Sequence, residues 1–142
     1  MRDERGAAAM DDLLLLTVAV LAFSLFFASL AGAHRIREET ARGERLQAAA
    51  DALLRAFVDD PRWTDGHGRI VRAALGTVSA GDLAGVAGER AFRLTVRDLG
   101  TAERWTFGDG AARGDRRTAA TAANLVSDAV APARVTATVW GP

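Results

Sequence analysis

The sequence predicts an α+β protein: a long N-terminal helix, half membrane span and half amphipathic, packed on a small antiparallel β-sheet. Three observations predict it. Leu13–Ala33 is a run of 21 residues without a charge. The next stretch, "HRIREETARGERLQAAADALLRAFVDD", is rich in good helix formers and carries one apolar face. From about residue 90 the pattern changes to short alternating segments separated by turns.

The apolar run comes first. At 1.5 Å per residue, 21 residues make a helix about 30 Å long, the thickness of a bilayer core. A soluble helix has no need to be apolar all round for six turns. Two readings of the run stand side by side. One is a secretory signal peptide, with "ASLAGA" as its cleavage site. The other is a plain single-pass anchor. The run is uneven: Thr17, Leu21, Ser24, Ala28 and Ala31 recur on one face and are mostly small or weakly polar. Small residues let helices approach closely in lipid, and each hydroxyl contributes about 0.6 kcal/mol on average.

The helix is expected to continue past Ala33. Ile36, Leu46, Ala50, Leu53 and Phe57 follow helical spacing and form its apolar face. Glu38 with Arg42, and Asp51 with Arg55, lie four apart in the favourable order. Gly43 weakens the helix by about 1 kcal/mol relative to Ala. Pro61 ends it. One helix therefore runs from about Ala7 to Val58, with residues 7–33 as span and 34–58 as amphipathic continuation.

Residues 59–142 form the β-rich domain. Asp59–Gly68 reads as a turn-rich linker, and "RIVRAAL" (Arg69–Leu75) as strand or helix. "AFRLTVR" places Phe92, Leu94 and Val96 inward, and "RWTF" repeats the alternation with Trp105 and Phe107. "DLGT" (Asp98–Thr101) joins them as a hairpin. "RVTATVW" places Val135, Ala137 and Val139 inward and pairs with Thr118–Ser127 across "DAVAPA". By the same alternation Trp140 falls on the Arg/Thr face, where it is placed to contact a neighbouring subunit. The three to five strands need a cover on their apolar face, and the amphipathic helix supplies it.

Composition limits the chemistry. The formal net charge is zero, so no long-range field favours nucleic acid. There is no Cys, which removes disulfides, thiolate catalysis and Cys-ligated metal. His34 and His67 stand alone, the "RGD" at Arg113–Asp115 reads as a loop, and Asp59, Asp60 and Asp65 lack the order of a calcium loop. "GDGAARG" lacks the spacing of a dinucleotide loop, and "GTVSAG" is no nucleophile elbow. No catalytic residues, metal ligands or cofactor are expected.

The N-terminus carries the sharpest motif. In "RGAAAMDDLLLL", a short hydrophilic segment ends in Gly6, and an acid follows at the fifth position after it, just before the apolar run. This resembles the type IV pilin family. The "ERG" leader, the all-apolar span and the absence of Cys look more like its archaeal pilin-like members, whereas the near-neutral leader departs from the basic one expected in the family. The resemblance implies a class III signal peptide in which residues 1–6 are a leader cut between Gly6 and Ala7 by a prepilin peptidase. Asp11 is then the acid at the fifth mature position, where Glu is usual. Bacterial members also prefer a bulky residue where Ala7 stands. The resemblance implies a surface filament assembled through the helix, with Asp11, Asp12, Thr17, Ser24 and Ala28 as its assembly residues. Its implied partners are copies of itself or other pilin-like subunits, the membrane lipid, the peptidase, and an assembly platform with its ATPase. A minor pseudopilin of a secretion or uptake machine shares all these residues. A single-pass anchored protein with a small binding domain outside the cytoplasm is the alternative from a different class. The family places the C-terminal domain outside. The flanking charges lean the other way, with two Arg before the span and four Arg in His34–Arg45.

Overall fold

The computed structural model describes residues 3–88, 90–110 and 114–141; the side chains of residues 3–9 and of Asp11 lie outside that description. The element order is α1 (Asp3–Val58), β1 (Ile70–Val71), a 3₁₀ turn (Arg72–Thr77), α2 (Ala80–Ala87), β2 (Phe92–Asp98), β3 (Arg104–Phe107), β4 (Arg116–Val126) and β5 (Val130–Trp140). The chain divides into two compact units, Met1–Ala41 and Arg42–Pro142.

The first unit is helix alone. Its apolar side chains are open to the surroundings: Leu13 is 68 % exposed and Phe23 65 %. The helix is long and apolar enough to cross a membrane, and none of its most apolar stretch is buried. Ile36, expected on the packed face, is 65 % exposed. It lies in this first unit, whereas the buried residues of α1 begin only at Leu46.

The second unit is an α+β domain. Leu46, Ala50, Leu53, Leu54 and Phe57 bury one side of α1 against a five-stranded sheet of order β1-β4-β5-β2-β3. Period-2 burial follows the expected residues. Phe92, Leu94 and Val96 on β2 and Val135, Ala137 and Val139 on β5 are all buried. Leu94 lies opposite Ala137 and Val96 opposite Val135, so both strands present apolar residues to one face. Burial of these side chains, at about 25 cal/mol per Å², is the main drive for the sheet to close on the helix. Trp63 stacks on Phe57 at 5.4 Å between ring centroids, and its indole N–H donates to the Phe57 carbonyl at 2.5 Å. This bond satisfies a carbonyl in the last turn of α1, which has no intrahelical partner.

From β4 to β3 each strand is antiparallel to its neighbour, and β1 adds a short parallel pairing of Ile70 and Val71 with Leu125 and Val126. The ambiguous "RIVRAAL" is both structures in turn, two residues of strand followed by the 3₁₀ turn. The linker is ordered by its own polar groups: the Asp65 carboxylate accepts from the backbone of His67 and Arg69, and Thr64 bridges Ile70. The β4–β5 connection is tighter than "DAVAPA", because β5 already begins at Val130. Pro132 lies within it without breaking the ladder to β4. Its carbonyl accepts from the Leu99 N–H, so its missing N–H points the same way, past the end of β2. Gly108 adopts φ +86°, and a Cβ there would lie 2.4 Å from the Phe92 carbonyl oxygen, so glycine is required where β3 ends.

Candidate functional site

The features that carry the sequence-based reading are on the exposed half of α1. Gly6 and Ala7 lie within the helix, but their side-chain environment, and that of Asp11, is outside the described residues. Asp12 is exposed at the start of the apolar stretch. Thr17 donates its hydroxyl to the Leu13 carbonyl at 2.8 Å, and Ser24 to the Val20 carbonyl at 2.8 Å. Each hydroxyl is therefore satisfied by its own helix four residues back, which keeps it tolerable in an apolar medium without a neighbouring chain. Ala28 is exposed on the same segment, and Gly32 has no atom within 4 Å of where a Cβ would stand. The stripe is a surface that admits close approach, with its polar groups already paired.

The two expected ion pairs do not form: neither Glu38–Arg42 nor Asp51–Arg55 is among the ion pairs of the described residues. His34 instead meets Glu38 at 3.0 Å, and the Gln47 amide donates to Asp51 at 3.3 Å. Exposed helix pairs are worth only about 0.2–0.5 kcal/mol, too little to hold long side chains in one geometry.

Polar chemistry in the second unit serves turns. Asp98 is fully enclosed at the end of β2. Its Oδ1 accepts from the backbone N–H of Gly100 at 2.7 Å and of Thr101 at 3.1 Å, and Arg72 reaches its Oδ2 at 3.4 Å. The Thr101 and Gly100 N–H groups, with Arg72 adding a smaller share, hold its carboxyl below the usual carboxylate range against the opposing effect of burial. Arg72 also pairs with Glu103 and lies over the Trp105 ring at 5.4 Å. Arg62 grips Asp60 through two nitrogens, meets Asp82 at 2.9 Å and covers Trp63 at 4.4 Å. These arrangements tie loops to the core and leave no open reacting centre around Asp98.

Trp140 corrects an expectation. It belongs by alternation to the Arg/Thr face, yet it is only 6 % exposed, with the Arg93 guanidinium 5.8 Å from its ring centroid. Little of its ring is left for a neighbouring subunit. Two features have no counterpart in the sequence reading. One is α2, whose Ser79–Asp82 capping box was present in the sequence as the Ser-x-x-Asp of "SAGD". The other is a shallow groove lined by Asp51, Leu54, Arg55 and Val58 of α1, by Asp59 just after it, and by Ala120 and Thr121 of β4.

Compared with protein-family models, curated proteins and solved structures, the chain matches none. A long apolar N-terminal helix with a packed second half on a small sheet is a layout compatible with pilin-like folds.

Proposed function

We propose that this chain is a structural subunit of a type IV pilus-like surface filament: inserted in the membrane, cleaved after Gly6, and assembled through its apolar N-terminal helix. The observation that carries the reading is the contrast along α1. Residues 46–57 bury a face in the domain core, while the same helix from Leu13 to Leu30 exposes large apolar side chains. Such a stretch needs lipid, or other copies of itself, to cover it.

The acid at Asp11 gives assembly its chemistry. At a membrane interface a carboxylate is tolerable, whereas in an apolar bundle it is strongly unfavourable unless paired. Cleavage after Gly6 frees an α-amine on Ala7, which neutralises the Asp11 of a neighbouring subunit. Processing and polymerisation are thereby linked. In this reading the domain from about residue 60 onward is the outer surface, and the partners are other pilin-like subunits, the peptidase and the assembly machine.

The internal bonding of Thr17 and Ser24 favours one second reading, a single-pass anchor whose span needs no neighbour. The mass of the chain isolated from its native membrane separates the two. A chain beginning at Ala7 is expected for the filament subunit. A chain retaining Met1 and Gly6 overturns the processing step and leaves the anchor.

A further inference from the structure

The face of the sheet turned away from α1 carries a pattern that folding does not need. Residues two apart on a strand share a face. On β2 the outward residues are Arg93, Thr95 and Arg97, alternating with buried Phe92, Leu94, Val96 and Asp98. The register sets Arg97 opposite Arg104 of β3 on one side and Arg134 of β5 on the other. It likewise sets Thr95 opposite Thr106 and Thr136. A row of arginines and a row of threonines therefore run side by side across β3, β2 and β5. Neighbouring strands lie about 4.8 Å apart, so each row is about 10 Å long.

Like charges directly opposed across strands are destabilising. Elsewhere in the domain arginines are matched with carboxylates: Arg62 with Asp60 and Asp82, Arg69 with Asp65, and Arg72 with Asp98 and Glu103. Arg97, Arg104 and Arg134 are exposed, and among the described residues they have no ion pair or hydrogen bond. No acid occupies an outward position of β2, β3, β4 or β5. The zero net charge of the whole chain hides this segregation. The hydroxyls of Thr95, Thr106 and Thr136 also make no hydrogen bond among the described residues, whereas Thr118 and Thr138 on the same face bond each other at 3.0 Å.

We propose that this face binds an acidic polysaccharide, a chain of uronate sugars laid across the strands along the two rows. The guanidinium forks take its carboxylates bidentately, and the threonine hydroxyls exchange hydrogen bonds with its sugar hydroxyls. One carboxylate gains little from one exposed arginine, because water screens the pair. A polymer engages the whole row at once, and multivalency makes the contact effective. Nucleic acid answers the charge but not the rest of the face. Single strands are held by bases stacked on aromatic rings. The aromatic residue at an outward strand position here, Trp140, is buried, with Arg93 against its ring. The proposal concerns the domain alone and holds for a filament subunit and for an anchored protein alike.

The full chain in non-ionic detergent, titrated calorimetrically with polygalacturonate, tests it. Dextran is the uncharged control and single-stranded DNA the competing polyanion. Polygalacturonate is expected to bind, dextran not to bind, and DNA to bind more weakly at equal charge concentration. Arg97→Gln and Arg134→Gln should each weaken polygalacturonate binding several-fold, while Arg55→Gln on α1 leaves it unchanged. Arg97→Gln also removes both like-charge oppositions, so it should melt at or above wild type, which separates lost binding from lost folding. Thr95→Val keeps the side chain's shape and its preference for a strand, and should weaken polygalacturonate but not DNA. Absence of polygalacturonate binding overturns the proposal, as does DNA binding as tight or tighter. An equal loss in Arg55→Gln, or full affinity in folded Arg97→Gln and Arg134→Gln, overturns it too.

Discussion

Asp98 is the one charged side chain among the described residues that is buried, and it is held by the turn it closes. Its folded carboxyl titrates below its unfolded value, so its contribution to stability is fully present above the unfolded carboxylate range, about pH 4. The contribution is lost as pH falls through the depressed folded value. Asp98→Asn keeps an acceptor for the two backbone N–H groups but removes the charge facing Arg72. The variant should melt below wild type at pH 7, with the gap closing as pH falls below about 4 and through the depressed folded value. Thermal melts across that range check it, and a gap independent of pH would refute the assignment. Arg62 is a second residue-scale tie. Asp60, then Asp82, raise its pKa, so it stays charged throughout the accessible range and links the segment after α1 to the first turn of α2.

At the scale of elements, α1 is where sequence and structure differ most usefully. Helix propensity alone makes Gly43 a defect, but a Cβ there would lie 2.8 Å from the Arg117 Nη2, so the glycine leaves room for a guanidinium against the helix. That atom is the far end of a flexible, exposed side chain and can move aside. Gly43→Ala is therefore expected to gain most of the helix-propensity term, up to about 1 kcal/mol. Denaturant midpoints at unchanged slope measure it, and a loss of stability would mean that the Arg117 contact outweighs propensity. The strands were legible because one buried face imposes period 2: Phe92, Leu94, Val96, Val135, Ala137 and Val139 are buried as their alternation required. Three features were not legible, for physical reasons. β1 is two residues long and exists only through its non-local pairing with Leu125 and Val126. Ile36 follows the right period, but periodicity does not say how far along the helix the core extends. Trp140 is shielded by Arg93 on a face that alternation calls open. Of the candidate site, the exposed apolar stretch was legible from composition, whereas the local bonding of Thr17 and Ser24 requires knowing where their hydroxyls point.

For the molecule as a whole, the decisive feature is that the buried core draws nothing from the first unit. Every buried apolar residue among those described lies at Leu46 or beyond, and the compact second unit begins at Arg42. Apolar burial is the dominant favourable term in folding, and it is contained within about 100 residues, a size that commonly folds alone. The exposed apolar stretch of α1 is then an attachment to a self-sufficient domain. A fragment from Arg42 to Pro142 should be soluble without detergent and unfold in one cooperative step. Its melting temperature should lie within a few degrees of that of the domain transition in the full detergent-solubilised chain, because no core contact has been removed. Circular dichroism of the two proteins makes the comparison. A fragment that fails to fold, or melts non-cooperatively, would show that residues before Arg42 nucleate or brace the domain, and the division of α1 into a packed half and an exposed half that the core does not use would have to be abandoned.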